Sequence, residues 1–329
     1  MLAAVATKYG PADVLKLRQI AQPTPKPDEV IVRVEASSVT AADVMMRRGV
    51  PYIGRLFLGI LKPKNSISGT GFAGTVQALG SQVHAFRVGD RVFGETILGH
   101  GANAEYTCVP QDGLIMHLPD NVPFTDGATL CDGFLTSMNF LKRLVDVKSG
   151  QRVLINGASG SLGTAAIQIA RYFGAHVTGV SSASNHDLVA SLGANQVIDY
   201  NSVDFTQSEQ NWDVIYDTVG KSSFDKCKAV LSENGKYLSP ILGGTLYSML
   251  QTKLFGTKQA FFSATGLLPQ PVLKKLLVQV RDLRASEELR VFIDRQYQFD
   301  QIIEAHRYVE GGHKKGNVLL QGPSRTSRG

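Results

Sequence analysis

A chain of 329 residues, 43% hydrophobic and 19% charged, can build a large core and is too apolar for disorder. The formal net charge of +6 comes from scattered cations and short pairs such as Arg47-Arg48, Lys274-Lys275 and Lys314-Lys315. No basic stretch is interleaved with aromatics, which excludes a nucleic-acid groove and leaves solvated surface or an anionic small ligand.

No apolar run is long enough to span a bilayer, and the N-terminal stretch lacks the pattern of a signal peptide. No membrane partner is expected. Cys108, Cys131 and Cys227 lie far apart. An odd, sparse set fits a reducing compartment, so a cytoplasmic protein is expected.

In chain order, the first third reads as β-rich. "DEVIVRVEASSVT" is a strand running into a polar loop. "SGTGFAGTVQALGSQVHAFRVGDRVFGET" breaks into short Val/Phe segments at Gly80, Gly89 and Asp90. This glycine density suggests the tight turns of a small barrel. From about residue 150 the texture changes. "QRVLING" is a short apolar strand, and "LGTAAIQIARYFGA" carries a helical apolar face that Gly174 stops. "HVTGVS" is a second strand and "NHDLVASLGA" a second helix ending near Gly193. "QVIDY", "DVIYDTVG" and "GKYLSPILGG" follow as strands, with "SSFDKCKAVLSEN" helical before the last. Alternating strands and helices predict right-handed crossovers and a parallel sheet. "QPVLKKLLVQVRDLR" is a further helix, and "GPSRTSRG" reads as a disordered tail.

The turn Gly157-Ala158-Ser159-Gly160-Ser161-Leu162-Gly163 sits between a strand and a helix. That is the setting of a dinucleotide fingerprint. The glycines permit a sharp turn and close approach to a pyrophosphate, and the helix N-terminus offers free N–H groups. In NAD-specific sites an acid at the end of the second strand binds the adenosine ribose. Here that strand is followed by Ser181, Ser182, Ala183, Ser184 and Asn185. A carboxylate would repel a 2′-phosphate, whereas hydroxyl and amide donors accept one. The expected cofactor is therefore NADPH, although a neutral loop with little preference also fits.

These residues carry a resemblance over nearly the whole chain. "VRVEASSVTAADVMMRRG", "ISGTGFAGTV", "FRVGDRVFG", "AEYTCVP", "GQRVLINGASGSLGTAAIQIAR", "SLGANQVIDY" and "GGHKKGNVLL" are similar, in order and spacing, to zinc-independent medium-chain dehydrogenases/reductases of the quinone oxidoreductase group, zeta-crystallin-like proteins included. The resemblance implies an α/β fold with a discontinuous GroES-like β-rich catalytic domain, residues 1–125 and 266–329. A doubly wound Rossmann domain, 126–265, is inserted into it. The cofactor and substrate would lie between the two domains. A homodimer would form edge to edge through "AFFSATG".

Zinc relatives carry a cysteine where this chain has Thr40 and a histidine where it has Thr70. "GETILGHGANAEY" passes the region of their four-cysteine lobe without a cysteine. No metal is expected, since a tetrahedral site needs converging thiolates or imidazoles. Hydride would then go to an acceptor that is already electrophilic, a quinone or an α,β-unsaturated carbonyl. Tyr52 is a candidate to bind the acceptor oxygen or to pack the wall. Thr40 is a candidate hydrogen-bond donor near the nicotinamide or a packing residue. Gly71 departs from relatives that carry Asp or Glu. Asp43 matches a structural position.

Residue by residue, the resemblance gives Ser159, Gly160, Ser161 and Leu162 to the pyrophosphate. Ser181, Ser182 and Asn185 go to the adenosine phosphate and Tyr200 to the adenosine end. Thr136, Leu242, Gly243 and Asn317 go to the nicotinamide side. Apolar residues in "PYIGRLFLGILKPKNS" and "LYSMLQTKLFGTKQ", expected to be loops, hint at a small apolar electrophilic substrate, a dimer surface or a lid. Two rival readings stand beside the reductase: an NADPH-binding protein with little turnover, and a zinc-free alcohol or aldehyde dehydrogenase.

Overall fold

The computed structural model describes residues 1–96, 101–242, 244–254 and 256–323. Gly243, and residues 324–329 of the expected tail, lie outside them. The strands in chain order are β1 Leu2–Ala6, β2 Leu15–Gln19, β3 Glu29–Ser38, β4 Gly71–Leu79, β5 Arg91–Glu95, β6 Tyr106–Pro110, β7 Leu114–His117, β8 Arg152–Asn156, β9 His176–Ser181, β10 Gln196–Asp199, β11 Trp212–Asp217, β12 Leu231–Ser239, β13 Gln259–Phe262, β14 Ile293–Tyr297 and β15 Asn317–Gln321.

The chain folds as two compact units. The first comprises Met1–Asp132, Pro269–Ala285 and the chain from Val291 on; the second comprises Gly133–Leu268 and Ser286–Arg290. The junctions thus fall at 132/133 and 268/269, not at 125/126 and 265/266. Side-chain pairing accounts for this. Arg284 Nε donates to Asp126 Oδ2 at 2.8 Å, tying the 126 turn into the first unit. Gln168 exchanges two hydrogen bonds with the Arg290 backbone, at 3.0 and 2.7 Å, which draws 286–290 into the second.

In the first unit, the sheet runs β14-β15-β3-β4-β5-β7, with β6 also paired to β3. Only β14 and β15 pair in parallel. The ladder of β3 with β4 shifts register twice, after Ile31 and after Val34. Such bulges raise the local twist and let a sheet curl. Val30, Val32, Val34, Phe72, Val76 and Val92 fill one core. A second core joins the β1–β2 hairpin, β15 and the helix Ile302–Glu310.

In the second unit, six parallel strands run β10-β9-β8-β11-β12-β13. This is the dinucleotide-fold order, and its direction reverses between β8 and β11. Three sequence expectations change here and in the first unit. "LSEN" is strand, not helix: the helix ends at Cys227 with a short turn to Val230, and buried Leu231 opens β12 opposite Trp212. "TLYSMLQTKL" is the helix Gly244–Leu254, not a loop. "AADVMMRR" is a helix that the sequence reading left unassigned.

Candidate functional site: a glycine turn with a hydroxyl network, and a buried acid cluster

The second unit places the glycine turn at the end of β8, beside the point where the strand order reverses. Gly157 and Ala158 donate their N–H groups to the Val180 carbonyl, 3.1 and 3.0 Å, which fixes the turn against β9. Gly157 has φ +79°. A Cβ on Gly163 would stand 2.2 Å from the Gly157 carbonyl oxygen, so only glycine lets the helix Ser161–Tyr172 pack this close. At Gly160 a Cβ would meet nothing nearer than 3.5 Å, so that face of the turn is open. No side chain caps this helix, and a helix N-terminus presents main-chain N–H groups and a partial positive charge to an anion. The donor set and the open face fit a pyrophosphate.

Beside the turn, Asn185 Nδ2 donates to Ser159 Oγ (3.1 Å) and to Ser182 Oγ (3.2 Å), and Ser182 and Ser184 hydroxyls bond each other at 3.2 Å. The structure therefore brings Ser159, Ser182 and Asn185 into one network. Asn185 Oδ1 is buried with no partner. Ser181 is buried, and its hydroxyl donates to the Ser182 carbonyl. Tyr200 is exposed just past β10, its N–H bonded to the Ser181 carbonyl at 3.3 Å. Asp187, which the sequence reading passed over, is exposed in the first turn of the next helix.

Thr136 is half-buried in a helical run that packs on the nucleotide helix. Ser137 Oγ donates to the Leu162 carbonyl at 3.0 Å, and Gly133 lies against the Ser161 carbonyl. Leu242 is 41% exposed beyond β12.

One residue the sequence reading did not single out anchors this end of the sheet. Asp217, buried at the end of β11, accepts from Asn156 Nδ2 (3.0 Å), Tyr237 Oη (3.0 Å) and the N–H groups of Val219, Gly220 and Ser222. Burial and this carboxylate together push the Tyr237 phenol upward. The signal in the sequence was an acid closing an apolar strand, "DVIYD".

In the first unit, Thr40 is the N-cap of the helix Ala41–Arg48. Its hydroxyl accepts from the Asp43 N–H at 3.1 Å and donates to Asp43 Oδ2 at 2.8 Å. Thr70 donates to Asp43 Oδ1 at 3.2 Å. The two threonines at the positions of zinc ligands in relatives thus converge on one carboxylate. Burial, opposed by these hydrogen bonds, pushes the Asp43 carboxyl up to about 6. Glu95 is pushed up to about 8 by burial and then by the charges of Asp132 and Asp43. Across the β4–β5 ladder Glu95 faces Gly71, which has no side chain. Among the described residues, no group of three or more His, Cys, Asp or Glu is arranged to hold a metal.

Tyr52 is 73% exposed on the turn Tyr52–Gly54, its ring 4.8 Å from the Arg55 guanidinium. Asn317 opens β15, buried, with its Nδ2 donating to the Phe292 carbonyl at 3.0 Å. His306 is buried with neither ring nitrogen partnered, and burial followed by the Arg47 charge lowers it to about 3.

The fold and the glycine turn define a medium-chain dehydrogenase/reductase. Residues 26–120 match the alcohol dehydrogenase GroES-like domain family, and 192–320 match a family described as zinc-binding dehydrogenase. The chain is 31% identical over 328 residues to a chloroplastic quinone-oxidoreductase homolog of Spinacia oleracea, covering 95% of each chain. It is 31% identical over 327 residues to a 2-methylene-furan-3-one reductase of Solanum lycopersicum, covering 95% of this chain and 77% of that one. The solved structure of the quinone oxidoreductase from Coxiella burnetii superposes with TM-score 0.87 at 28% identity, covering 98% of this chain and 99% of that one. The chain belongs to the quinone oxidoreductase family of medium-chain dehydrogenases/reductases.

Proposed function

We propose that the chain is an NADPH-dependent reductase that works without zinc and passes hydride to a quinone or an α,β-unsaturated carbonyl. The observation that carries this reading is the glycine turn, open at Gly160, adjoining a hydroxyl–amide network with no carboxylate among its members. NADPH, when bound, supplies the hydride from nicotinamide C4. Ser159, Gly160, Ser161 and Leu162 would line the pyrophosphate, Gly160 also closing the turn by donating its N–H to the Gly157 carbonyl at 3.1 Å. Ser182 and Asn185, with Ser184, meet the adenosine phosphate, and unpartnered Asn185 Oδ1 accepts from a ribose hydroxyl. Ser181 shapes this network from beneath. Tyr200 borders the adenosine, and Thr136, Leu242, Gly243 and Asn317 serve the nicotinamide side.

Thr40 and Tyr52 are proposed for the acceptor. The Thr40 hydroxyl donates to Asp43 Oδ2 and accepts from the Asp43 N–H, so it would bind an acceptor oxygen by turning its proton away from Asp43. A cytoplasmic homodimer joined through the β13 edge accompanies this reading. Relatives named quinone oxidoreductase and 2-methylene-furan-3-one reductase support the two acceptor classes.

The test follows NADPH and NADH oxidation against a benzoquinone, an ortho-quinone, a 2-alkenal and a cyclic enone. Turnover with NADPH well above NADH is expected. NADPH binding without turnover on any acceptor would overturn the reductase reading in favour of a binding role. Reversible oxidation of a simple alcohol would overturn it in favour of an alcohol dehydrogenase.

A further inference from the structure

We propose that the loop carrying Ile53, Leu56, Phe57, Ile60 and Leu61 is a docking surface for a lipid bilayer with anionic headgroups. This inference goes beyond the reductase reading and stands on the first unit alone. All five side chains are more than half exposed, and Leu61 reaches 89%. Single exposed apolar residues are ordinary, but a contiguous patch marks an interaction surface.

The loop is fixed from below while its apolar residues point out. Leu58 is buried as its anchor. Tyr9 Oη donates to the Gly59 carbonyl at 2.6 Å. Gly59, at φ +119°, makes a turn so tight that a Cβ would stand 2.1 Å from the Lys62 carbonyl oxygen. Arg55 lies 4.5 Å from the Tyr9 ring and 4.8 Å from the Tyr52 ring, and its Nε donates to the Gly49 carbonyl at 2.9 Å. The patch is held in place in this way, so its exposure is a fixed feature of the fold.

Charge identifies the occupant. From Val44 to Gly89 the sequence contains no Asp or Glu, and Arg48, Arg55, Lys62 and Lys64 flank the apolar residues along the chain. Arg48 shares Glu310 with Arg47. Among the described residues, no carboxylate lies within ion-pair distance of Arg55, Lys62 or Lys64. Apolar side chains flanked by cations, with Arg55, Lys62 and Lys64 outside any ion pair among the described residues, match the interface of an anionic membrane, where the chains enter the acyl boundary and the cations meet headgroup phosphates. A second copy fits poorly, because a two-fold contact would set the cationic rim against itself. No helix among the described residues is long and apolar enough to cross a membrane, so the contact is peripheral.

The test is flotation of the full chain with vesicles of phosphatidylcholine alone and of phosphatidylcholine mixed with phosphatidylglycerol. Binding to the mixed vesicles only, weakened by salt, is expected. Lys62→Ala with Lys64→Ala should lower partitioning about twenty-five-fold, at about fivefold per cation. Leu56→Ser with Phe57→Ser should lower it at least about tenfold. Circular dichroism and thermal melts of both variants verify that they fold; both pairs are exposed, so the melts should match the parent. Failure of the parent chain to bind the mixed vesicles would overturn the proposal. So would binding that both variants retain in full. Self-association of the parent that Leu56→Ser with Phe57→Ser abolishes would reassign the patch to a second copy. None of these readouts uses turnover, so the outcome is independent of the acceptor.

Discussion

Replacing Glu95 with Gln should stabilise the protein at alkaline pH and leave it nearly unchanged near pH 5. Glu95 closes β5 opposite Gly71, so no side chain stands directly across from it, and its carboxyl is raised from 4.5 to about 8 by burial and by Asp132 and Asp43. A raised folded-state value means that the folded protein holds more protons than the unfolded chain between about pH 4.5 and 8. Stability is therefore fully present below that window and falls as pH rises through it. At about 1.4 kcal/mol per pH unit, the span sets a ceiling of about 5 kcal/mol. Gln keeps the shape without the charge and also removes one source of repulsion from Asp43. Urea denaturation followed by circular dichroism at several pH values from about 5 to 9 would measure it. The parent should lose a few kcal/mol across the window relative to Glu95→Gln, on top of the slopes that Asp43 and His306 give both proteins. A variant whose stability difference from the parent does not change with pH would refute the reasoning, since only titration of this carboxyl produces the slope.

Other expectations follow from single contacts. Gly163→Ala places a Cβ 2.2 Å from the Gly157 carbonyl oxygen and should lower stability by about 1–3 kcal/mol. Gly160→Ala has room for its Cβ, so it should melt like the parent yet bind NADPH less tightly in a fluorescence titration. Asn185→Asp introduces a carboxylate into the Ser159–Ser182 network. It should shift kcat/KM from NADPH toward NADH by on the order of tenfold. Asp217→Asn turns a donor toward N–H groups that now find an acceptor. It should cost about 1–3 kcal/mol in chemical denaturation. His306 is lowered from 6.5 to about 3. The unfolded chain takes up its proton first on acidification, so stability falls as pH drops below about 6.5, and His306→Leu should flatten that acid limb in thermal melts.

Most of the second unit was legible in the sequence because its strands and helices alternate with clear periods, and the glycine turn fixes where one ends and the next begins. Ser159 and Asn185 are expected at different parts of the cofactor, the pyrophosphate and the adenosine phosphate, and the structure bonds one to the other. Failures arose where local composition misleads. "LSEN" is polar enough to prolong a helix, yet Leu231 pairs with Trp212 and carries it into β12. The helix Ala41–Arg48 went unassigned although Thr40 and Asp43 form a capping box, a signal only three residues apart directly after a long strand. Glu95 could not be found from sequence at all. Its importance depends on burial and on the nearness of Asp132 and Asp43, and these follow from strand pairing between residues far apart along the chain.

The pairing of Gly71 with Glu95 changes what the sequence implied about acids in the first unit. Gly71 lacks the carboxyl that relatives place there, which suggested a site with one charged group fewer. The β4–β5 register instead supplies a carboxyl from the neighbouring strand, and Asp43 supplies a second, gripped by Thr40 and Thr70. These hydroxyls point their protons at a carboxylate, which favours its ionised form and opposes the burial that raises it. Threonine hydroxyls at positions 40 and 70 offer neither thiolate nor imidazole, which suits the proposed acceptors, quinones and enones, that are already electrophilic. Loss of the ligand chemistry at positions 40 and 70 and the hydrogen-bonded carboxylate found there instead are two aspects of one pattern, and both suit the same acceptor class.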